Sequence, residues 1–484
     1  MFFTQLKKHW FSNTRTDLLS GMTVALALIP EAIAFSIVAG VSPMAGLYAS
    51  ITMAIIISLA GGRPGMISAA TGAIALLVTG LVKDHGVEYL FAAAVLAGVI
   101  QILLGVLKLG RFITFVPQPV MTGFVNALAI LIFMAQLTHF KGQGWVMYAL
   151  VALTLVIIYV LPRITKAVPP ALVAIIIISI LTIALHLDVY KVGDLGNLTR
   201  DLPTFHLPNI PFTWDTFMII LPYSISMAFV GLLESLMTAM LIDDLTDTSS
   251  NKNREMRGQG MANIVTGFFG GMGGCAMIGQ SMINIKSGGR TRLSTLVSGV
   301  FLMILLVLLG NIVKQIPMAA LVGVMIVVCI GTFDWKSLTT LNKIPLPDAV
   351  VMVVTVIVVV ATDNLSIGVA VGVVLSSVVF AWKMAVVRLT ESAAEDGSKV
   401  YSVSGPMFFG TMHHFVNEFN ATEDPERITI DFSRTHIWDQ SAVNGIARVI
   451  EKYRQQGKEV SIKGLNAESK ALVERIGLAG AGSH

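Results

Sequence analysis

Up to Val387 the chain is a succession of apolar segments of roughly 16–25 residues, the length that crosses the ~30 Å hydrocarbon core of a bilayer. Of its 484 residues, 55% are hydrophobic and 13% are charged, whereas an ordinary soluble domain is about 25% charged. The pattern therefore predicts a polytopic membrane protein. The two cysteines, Cys275 and Cys329, are isolated in apolar surroundings, which excludes a disulfide framework and a cysteine-based metal site.

The number of segments fixes the expected topology. Twelve full-length segments and two shorter ones, near 69–82 and 276–286, predict fourteen spans, so both ends of the membrane part lie on the same side. With the amino terminus inside, the inside loops carry most of the Lys and Arg, in clusters such as Arg254 with Arg257 and Arg290 with Arg292. The sequence therefore predicts a multi-pass protein with cytoplasmic N- and C-termini.

From Arg388 onward the composition changes to that of a soluble domain. RITIDFS alternates like a strand, SAVNGIARVIEKYRQQG has a helical period, and EVSIKGL is a second strand. We therefore expect a membrane transport domain at 1–387, followed at 388–484 by a linker and a small cytoplasmic α/β domain. The basic pI follows from the inside-loop bias and gives no reason to expect a nucleic-acid partner. Walker, kinase and GxSxG sequences are all missing, so we expect neither an enzyme nor ATP-driven transport.

The chain contains an internal repeat. GGRPG at 61–65 and GGMGG at 270–274 each precede one of the two short apolar segments, and Glu31 and Glu234 recur at nearly the same separation. Seven segments separate the members of each pair, and an odd number means that the second copy enters the membrane from the opposite side. This is typical of an inverted-topology repeat, which places a binding site near the bilayer midplane.

The glycine motifs predict two half-helices that begin at mid-membrane. The N-terminus of such a helix offers free N–H groups and the positive end of the helix dipole, so it binds an anion without a cationic side chain. The alternative is that the glycines only allow tight helix packing. The predicted anion-binding residues are Ala70, Thr71 and Gly72 on the first half-helix, and Ile278, Gly279, Gln280 and Ser281 on the second.

Glu31 and Glu234 are the acidic residues well inside apolar segments. An ionised carboxylate in the membrane is costly, so such a residue usually faces a cavity and has a function. Either a proton or another cation neutralises it during the cycle, or it is a neutral, hydrogen-bonded carboxyl that only supports packing. Thr238 lies one helical turn after Glu234, on the same face, and completes a predicted cation site.

Several longer stretches together carry a family resemblance. They are DLLSGMTVALALIPEAIAFSIVAGVSPMAGLYAS, GLLESLMTAMLIDDLT, NREMRGQGMANIVTGFFGG and SGGRTRLS, and in the tail GPMFFG, ITIDFSRTHIWDQSAVNGI and VSIKGLN. In order and spacing the chain resembles the SulP family of anion transporters (solute carrier family 26), and its tail resembles a STAS domain. Glu31 departs from many relatives, which have Gln there, and Gln280 departs from some animal members, which have Arg.

The resemblance implies an all-α membrane domain of fourteen segments in a 7+7 inverted repeat, whose core and gate domains move against each other to give alternating access. It also implies a homodimer in the bacterial cytoplasmic (inner) membrane. Family anion sites lie between the third and tenth helices, with side chains from the first. Carried over, these residues are Glu31, Phe35, Ile74, Gly279, Gln280 and Ser281.

The leading hypothesis is a secondary active transporter of a small inorganic anion, coupled to Na⁺ or H⁺ through Glu234 and Thr238. Resemblance to bacterial sodium-dependent bicarbonate transporters makes bicarbonate the first substrate expected. The alternatives are a sulfate or dicarboxylate H⁺ symporter, an uncoupled anion exchanger or channel, and a receptor that signals through its STAS tail. No cofactor is expected, nor any metal other than Na⁺.

Overall fold

The chain forms two compact units, residues 1–373 and 374–484. The structure, a computed structural model, describes residues 10–110, 116–165, 169–195, 202–362, 364–393 and 398–477. The first unit is built mainly from helices, and the second contains a four-stranded sheet.

Within the described residues, fourteen helices of nine residues or more precede this sheet, in agreement with the fourteen predicted segments. Seven of them are long and apolar enough to cross a membrane, and four others are apolar but shorter. The helices are α1 Thr14–Ala39, α2 Pro43–Ala60, α3 Gly72–His85, α4 Val87–Val106, α5 Gln118–Leu137, α6 Trp145–Ile164, α7 Pro170–Ala184, α8 Trp214–Thr246, α9 Lys252–Phe268, α10 Ile278–Lys286, α11 Arg292–Val313, α12 Met318–Thr332, α13 Leu346–Thr362 and α14 Leu365–Met384.

Polar caps and prolines set where several helices begin. The Thr213 hydroxyl accepts a hydrogen bond from the Thr216 amide at the start of α8, and the Asn251 side chain accepts one from the Arg254 amide at the start of α9. Both satisfy an amide that has no partner within its helix. Helix α2 begins with Pro43, whose ring suits the first helical position, and the Ser42 hydroxyl accepts a hydrogen bond from the Met44 amide.

The helix packing follows the inverted repeat, in which α1 to α7 correspond to α8 to α14. Helix α1 packs on α11 as its counterpart α8 packs on α4, and α2 packs on α11 as α9 packs on α4. Helices α1–α4 and α8–α11 form one group. In a second group, α5 packs on α13 as its counterpart α12 packs on α6. The two groups have the composition expected of a core domain and a gate domain.

Two short strands cross at the centre of the first group. Strand β1, Ser68–Ala69, directly precedes α3, and strand β2, Cys275–Ala276, directly precedes α10. They pair antiparallel, with Ser68 opposite Ala276 and Ala69 opposite Cys275. The predicted short segments thus begin with extended chain, and their helices start only after it.

The second unit contains a sheet in the order β3-β4-β5-β6, in which β3 is antiparallel to β4 and the other pairs are parallel. Along β5, Ile428, Ile430 and Phe432 alternate with more exposed residues and point into a core that includes Phe415 and Tyr453. Its elements are β3 Arg388–Ala393, β4 Lys399–Met407, α15 Met412–Asn417, β5 Arg427–Ile437, α16 Gln440–Arg454, β6 Glu459–Lys463 and α17 Ala467–Ile476.

Candidate anion and cation site

The half-helices α3 and α10 are held together by backbone and hydroxyl hydrogen bonds. The Met277 amide donates to the Ile67 carbonyl oxygen at 2.9 Å, and the Ile67 amide donates to the Ser281 hydroxyl at 3.0 Å. Ser281 belongs to α10 and Ile67 precedes β1, so α10 fixes the chain that leads into α3, and the segments that lead into the two half-helices bond each other. The crossing of β1 and β2 therefore sets the position of both helix N-termini.

Both N-termini keep amides that are free to bind a ligand. The Thr71 hydroxyl accepts from the Ile74 amide at 3.5 Å, but within the described residues nothing accepts from Gly72 or Ala73. Helix α10 has no side-chain cap, and likewise nothing in the described part of the chain accepts from its first three amides, those of Ile278, Gly279 and Gln280. Free amides and the positive dipole ends of two helices form an arrangement that binds anions.

A cavity of about 90 Å³ lies in front of these helix ends. A single water needs only about 10–15 Å³ of such space, so the cavity has room for an ion of a few heavy atoms. Helices α1, α3, α8 and α10 supply one wall, and α5 and α12 supply the other. The lining residues are Glu31, Phe35, Thr71, Gly72, Phe124, Val125, Leu128, Ile132, Glu234, Met237, Met277, Ile278, Gly279, Val328 and Thr332.

Two carboxyl groups, those of Glu31 and Glu234, reach this cavity, and among the described lining residues there is no Lys, Arg or His. The Gln280 side chain hydrogen-bonds Glu31. Glu31 follows Pro30, which lacks an amide hydrogen and so interrupts the hydrogen bonding of α1 beside the acid. The electrostatic character of the cavity is therefore set by two acids and two helix dipoles.

Glu234 has a thiol as its side-chain partner. The Cys275 thiol donates to Glu234 Oε2 at 3.0 Å, and the Thr71 hydroxyl lies 3.2 Å from Cys275 Sγ. Thr238, the other residue of the predicted cation site, is fully buried and donates its hydroxyl hydrogen to the Glu234 carbonyl oxygen at 2.7 Å. Its oxygen keeps an unused lone pair, but Thr238 does not line the cavity.

The predicted site residues fall into two layers. Those that line the cavity are Glu31, Phe35, Thr71, Gly72, Glu234, Ile278 and Gly279; those that lie behind it are Ala70, Ile74, Thr238, Gln280 and Ser281. In the second layer, the Ala70 amide donates to the Ser50 hydroxyl at 3.3 Å, so it is not free for a ligand. Ile74 is buried and faces Gly231 of α8.

The sequence predictions did not include the wall formed by α5 and α12. Its residues are Phe124, Val125, Leu128, Ile132, Val328 and Thr332, and Met237 and Met277 were also missed on the opposite side. Met277 directly precedes Ile278, a predicted site residue at the start of α10, so its position in the sequence was a usable signal. The others are ordinary residues of apolar segments, which carry no local signal of their role.

A buried polar network fixes β2 from behind. Asn263 of α9 accepts from the Gly274 amide at 2.9 Å and donates to the Gly274 carbonyl oxygen at 3.1 Å and to Gln101 at 3.0 Å. The Ser235 hydroxyl of α8 accepts from the Ala276 amide at 3.0 Å. Because α9 holds Gly274 and α8 holds Ala276, the residues on both sides of Cys275 are fixed and its thiol has a defined position.

Family models match most of the chain. The model described as the sulfate permease family matches residues 15–147 and 143–355, and the STAS domain model matches residues 390–481. "Putative sulfate transporter YbaR" of Bacillus subtilis (strain 168) is 57% identical, over 97% of this chain and 98% of its own. "Bicarbonate transporter BicA" of Synechocystis sp. is 29% identical, over 96% of this chain and 91% of its own.

Solved structures show the same architecture. The transmembrane domain of a cyanobacterium bicarbonate transporter BicA matches with a TM-score of 0.69 at 30% identity, over 74% of this chain and 98% of that one. Murine Slc26a9, an anion transporter solved in the inward-facing state, matches with a TM-score of 0.84 at 17% identity, over 98% of this chain and 89% of that one. This chain therefore belongs to the sulfate permease (SulP/SLC26) family of anion transporters and is a polytopic membrane protein with a C-terminal STAS domain.

Proposed function

We propose that this protein is a cation-coupled secondary active transporter that carries a small inorganic anion, with bicarbonate as the first candidate. One observation carries the proposal: two carboxyl groups and the free amides at two helix N-termini face a single small cavity. The amides attract an anion, whereas the carboxylates repel it. An anion therefore binds favourably once a cation has neutralised an acid.

The size of this repulsion supports coupling rather than independent binding. Two unit charges 4 Å apart interact by about 4 kcal/mol at an effective dielectric constant of ~20. A helix N-terminus carries only about half a positive charge, so it does not cancel the repulsion from two ionised acids. Na⁺ or H⁺ at Glu234 removes one of those charges, and the anion and cation then bind together.

Glu234 and Thr238 are the proposed ligands of the coupling cation. Carboxylate and hydroxyl oxygens suit a hard cation such as Na⁺, and the Thr238 oxygen retains a lone pair while its hydrogen bonds the Glu234 carbonyl oxygen. Because Thr238 lies behind the cavity, we place the cation between the cavity and α8. The anion then sits at the ends of α3 and α10, beside Glu31.

The two walls of the cavity support a mechanism of alternating access. One wall belongs to the core helices and the other to α5 and α12, so relative movement of the two groups opens the cavity on either side of the membrane. A rocking transporter of this kind carries an anion and a cation in the same step, as symport requires.

Bicarbonate is favoured because a monoanion suits a cavity without a cationic side chain. A dianion has a larger desolvation cost, and within the described lining only helix dipoles compensate it. The relative named as a bicarbonate transporter aligns over 96% of this chain. Sulfate is the second candidate, because the 57% identical relative is named as a sulfate transporter. A dicarboxylate, or uncoupled exchange, remains an outcome of the test.

Uptake into proteoliposomes tests the proposal. Radiolabelled bicarbonate and sulfate are offered with a Na⁺ gradient and a pH gradient imposed separately, with a control for CO₂ leak. Glu234→Gln is compared with Asp215→Asn, an exposed acid at the start of the same helix. We expect wild-type uptake to require one gradient, Glu234→Gln to lose that requirement or all uptake, and Asp215→Asn to behave as wild type. Uptake by Glu234→Gln that remains fully cation-dependent would contradict the role of Glu234.

We further infer a homodimer in the bacterial cytoplasmic membrane, with both termini inside. Support for the orientation comes from the Lys and Arg of the predicted inside loops. We keep the functional division at 387/388, because α14 ends at Met384 and β3 begins at Arg388. Cross-linking in native membranes and accessibility of a tag at each terminus test these assignments.

A further inference from the structure

Cys275 connects the two halves of the proposed site without lining it. Its thiol donates to Glu234 Oε2 at 3.0 Å, and its sulfur lies 3.2 Å from the Thr71 hydroxyl oxygen. Glu234 and Thr71 both line the cavity, whereas Cys275 is fully buried behind them. Glu234 comes from the second repeat and Thr71 from the first, so the thiol bridges the proposed cation ligand and the cap of an anion-binding helix.

The donor and the acceptor of each hydrogen bond between Glu234, Cys275 and Thr71 can be assigned. A thiol has one hydrogen, and Cys275 uses it on the Glu234 carboxylate. The Thr71 hydroxyl therefore donates its own hydrogen to the sulfur, while its oxygen accepts from the Ile74 amide. In this arrangement the Thr71 hydrogen points away from the cavity and is not available to an anion.

We infer that a cation at Glu234 changes this direction. It competes with the thiol for the lone pairs of the carboxylate, so the thiol hydrogen turns to the Thr71 oxygen, its other polar neighbour. The Thr71 hydrogen then leaves the sulfur and turns toward the cavity, where it adds a donor beside the free amides of Gly72 and Ala73. Because linkage is reciprocal, an anion held by Thr71 strengthens cation binding by the same factor.

Cys275 is thus a positioning residue that couples the cation site at Glu234 to the anion site at Thr71. This proposal rests on the cation coupling proposed above and names the contact that transmits it. The competing explanation is that Cys275 only fills space as a small apolar side chain, which is the common role of a buried cysteine. The two explanations differ in what a serine does, because serine keeps the hydrogen bonds and alanine does not.

The experiment measures a coupling ratio, defined as the KM for the anion at low cation divided by the KM at saturating cation. It uses the full chain in proteoliposomes, with radiolabelled bicarbonate at two Na⁺ concentrations and constant pH, and radiolabelled sulfate at two pH values. In the wild type we expect a ratio of roughly 5–150, the usual range of coupling between sites. Cys275→Ala should bring the ratio close to 1, and Cys275→Ser should restore most of it.

Cys329→Ala is the matched control, because Cys329 is also buried but lies in α12 and does not line the cavity. It should keep the wild-type ratio. Should Cys275→Ala fail to fold, Thr71→Val provides a second test, because it removes the hydrogen bond between Thr71 and Cys275 from the other side. Thr71→Val should lower the coupling ratio in the same way, whereas Thr71→Ser should keep it. A wild-type ratio that survives in Cys275→Ala or Thr71→Val overturns this proposal alone. A ratio of 1 in the wild type overturns the proposed coupling and this inference together.

Discussion

Gly98 of α4 and Gly260 of α9 meet backbone to backbone. A Cβ on Gly98 would lie 2.5 Å from the Gly260 carbonyl oxygen, and a Cβ on Gly260 would lie 2.5 Å from the Gly98 carbonyl oxygen. Such close approach is the usual function of small residues between membrane helices, where dispersion rather than the hydrophobic effect holds helices together. The contact fixes the distance between α4 and the helix that carries Asn263.

Replacing either glycine should separate these helices. We expect Gly98→Ala to destabilise the protein by about 1–3 kcal/mol, the usual cost of overpacking, which lowers the thermal midpoint in detergent. The control is Gly331→Ala in α12, where an added Cβ meets nothing within 4 Å. That variant should hold or raise the midpoint, because Ala is the better helix former. Equal midpoints for the two variants would show that the contact between Gly98 and Gly260 does not contribute to stability.

The helical framework could be predicted from the sequence because its signals are long. Fourteen apolar segments and a repeated glycine motif remain recognisable when individual residues vary, and they located α3 and α10 within a few residues. The exact start of each half-helix could not be predicted, since it depends on the pairing of Ser68 with Ala276 across the repeat. That pairing joins two parts of the chain that are distant in sequence.

Gly72 and Gly279 have different surroundings, although both lie in the first turn of a half-helix. A Cβ on Gly72 would lie 2.6 Å from Ile132 Cδ1 and 2.8 Å from Phe35 Cε1, whereas one on Gly279 meets nothing within 4 Å. Gly72→Ala should therefore displace the contact between the core and α5, and it should lower the maximal uptake rate. Gly279→Ala should leave that rate nearly unchanged and raise the anion KM, because the methyl group occupies cavity space.

Steady-state uptake separates these two effects. The KM and the maximal rate are measured for both variants, with the amount of folded protein determined by size-exclusion chromatography. A Gly72→Ala protein with normal KM and normal rate would mean that Ile132 and Phe35 relax without consequence. A Gly279→Ala protein with an unchanged KM would place the anion away from the end of α10.

The site was less predictable than the fold. Glu31 and Glu234 were recognisable because a carboxyl group inside an apolar segment is unusual. Cys275 gave no such signal, and its contact with Glu234 depends on how β2 packs on α8, which only the folded chain defines. Leu128 and Val328 illustrate a second limit: each is an apolar residue in an apolar helix, and helix rotation alone decides which of its residues faces the cavity.

Asp17 ties the first helix to the start of α11. Its carboxylate is fully buried and accepts from the Arg290 amide at 2.8 Å, the Thr291 amide at 3.2 Å and the Thr291 hydroxyl at 2.7 Å. Asp17→Ala leaves the two amides without this acceptor, at a cost of about 1–3 kcal/mol for each amide that stays buried, whereas the Thr291 hydroxyl still has the Trp10 carbonyl oxygen at 3.0 Å. We expect a clear fall in the thermal midpoint, and a smaller fall for Asp17→Asn, which keeps one acceptor oxygen.

The exposed acid Asp215 again provides the comparison, since Asp215→Ala should shift the midpoint little. Thermal midpoints come from the monodisperse fraction that remains after heating in detergent. If Asp17→Ala and Asp215→Ala lose equal stability, the capping contact contributes nothing specific to the join between α1 and α11.

In the STAS domain, Asp424 should make stability depend on acid pH. Burial by itself raises the pKa of Asp424, but hydrogen bonds from Lys399, Tyr401 and Tyr453 outweigh it and hold the pKa below its ordinary value of 3.8. A carboxylate whose pKa is lower in the folded state stabilises that state above its unfolded pKa. The contribution is therefore complete above pH 3.8 and is lost as the pH falls through the folded pKa.

Segment 388–484 has its own hydrophobic core and one tryptophan, Trp438, so its urea unfolding can be followed by fluorescence at several pH values. In the wild type we expect the urea midpoint to decrease when the pH is lowered below 4. Asp424→Asn should lower the urea midpoint near neutral pH and weaken its dependence on acid pH.

Asp431, whose pKa is also lowered by its hydrogen bonds with Ser433, should preserve part of that dependence. Glu474→Gln, an exposed acid 3.9 Å from Lys470, should leave the profile unchanged. A wild-type profile in Asp424→Asn would mean that the three hydrogen bonds to Asp424 do not favour its charged form.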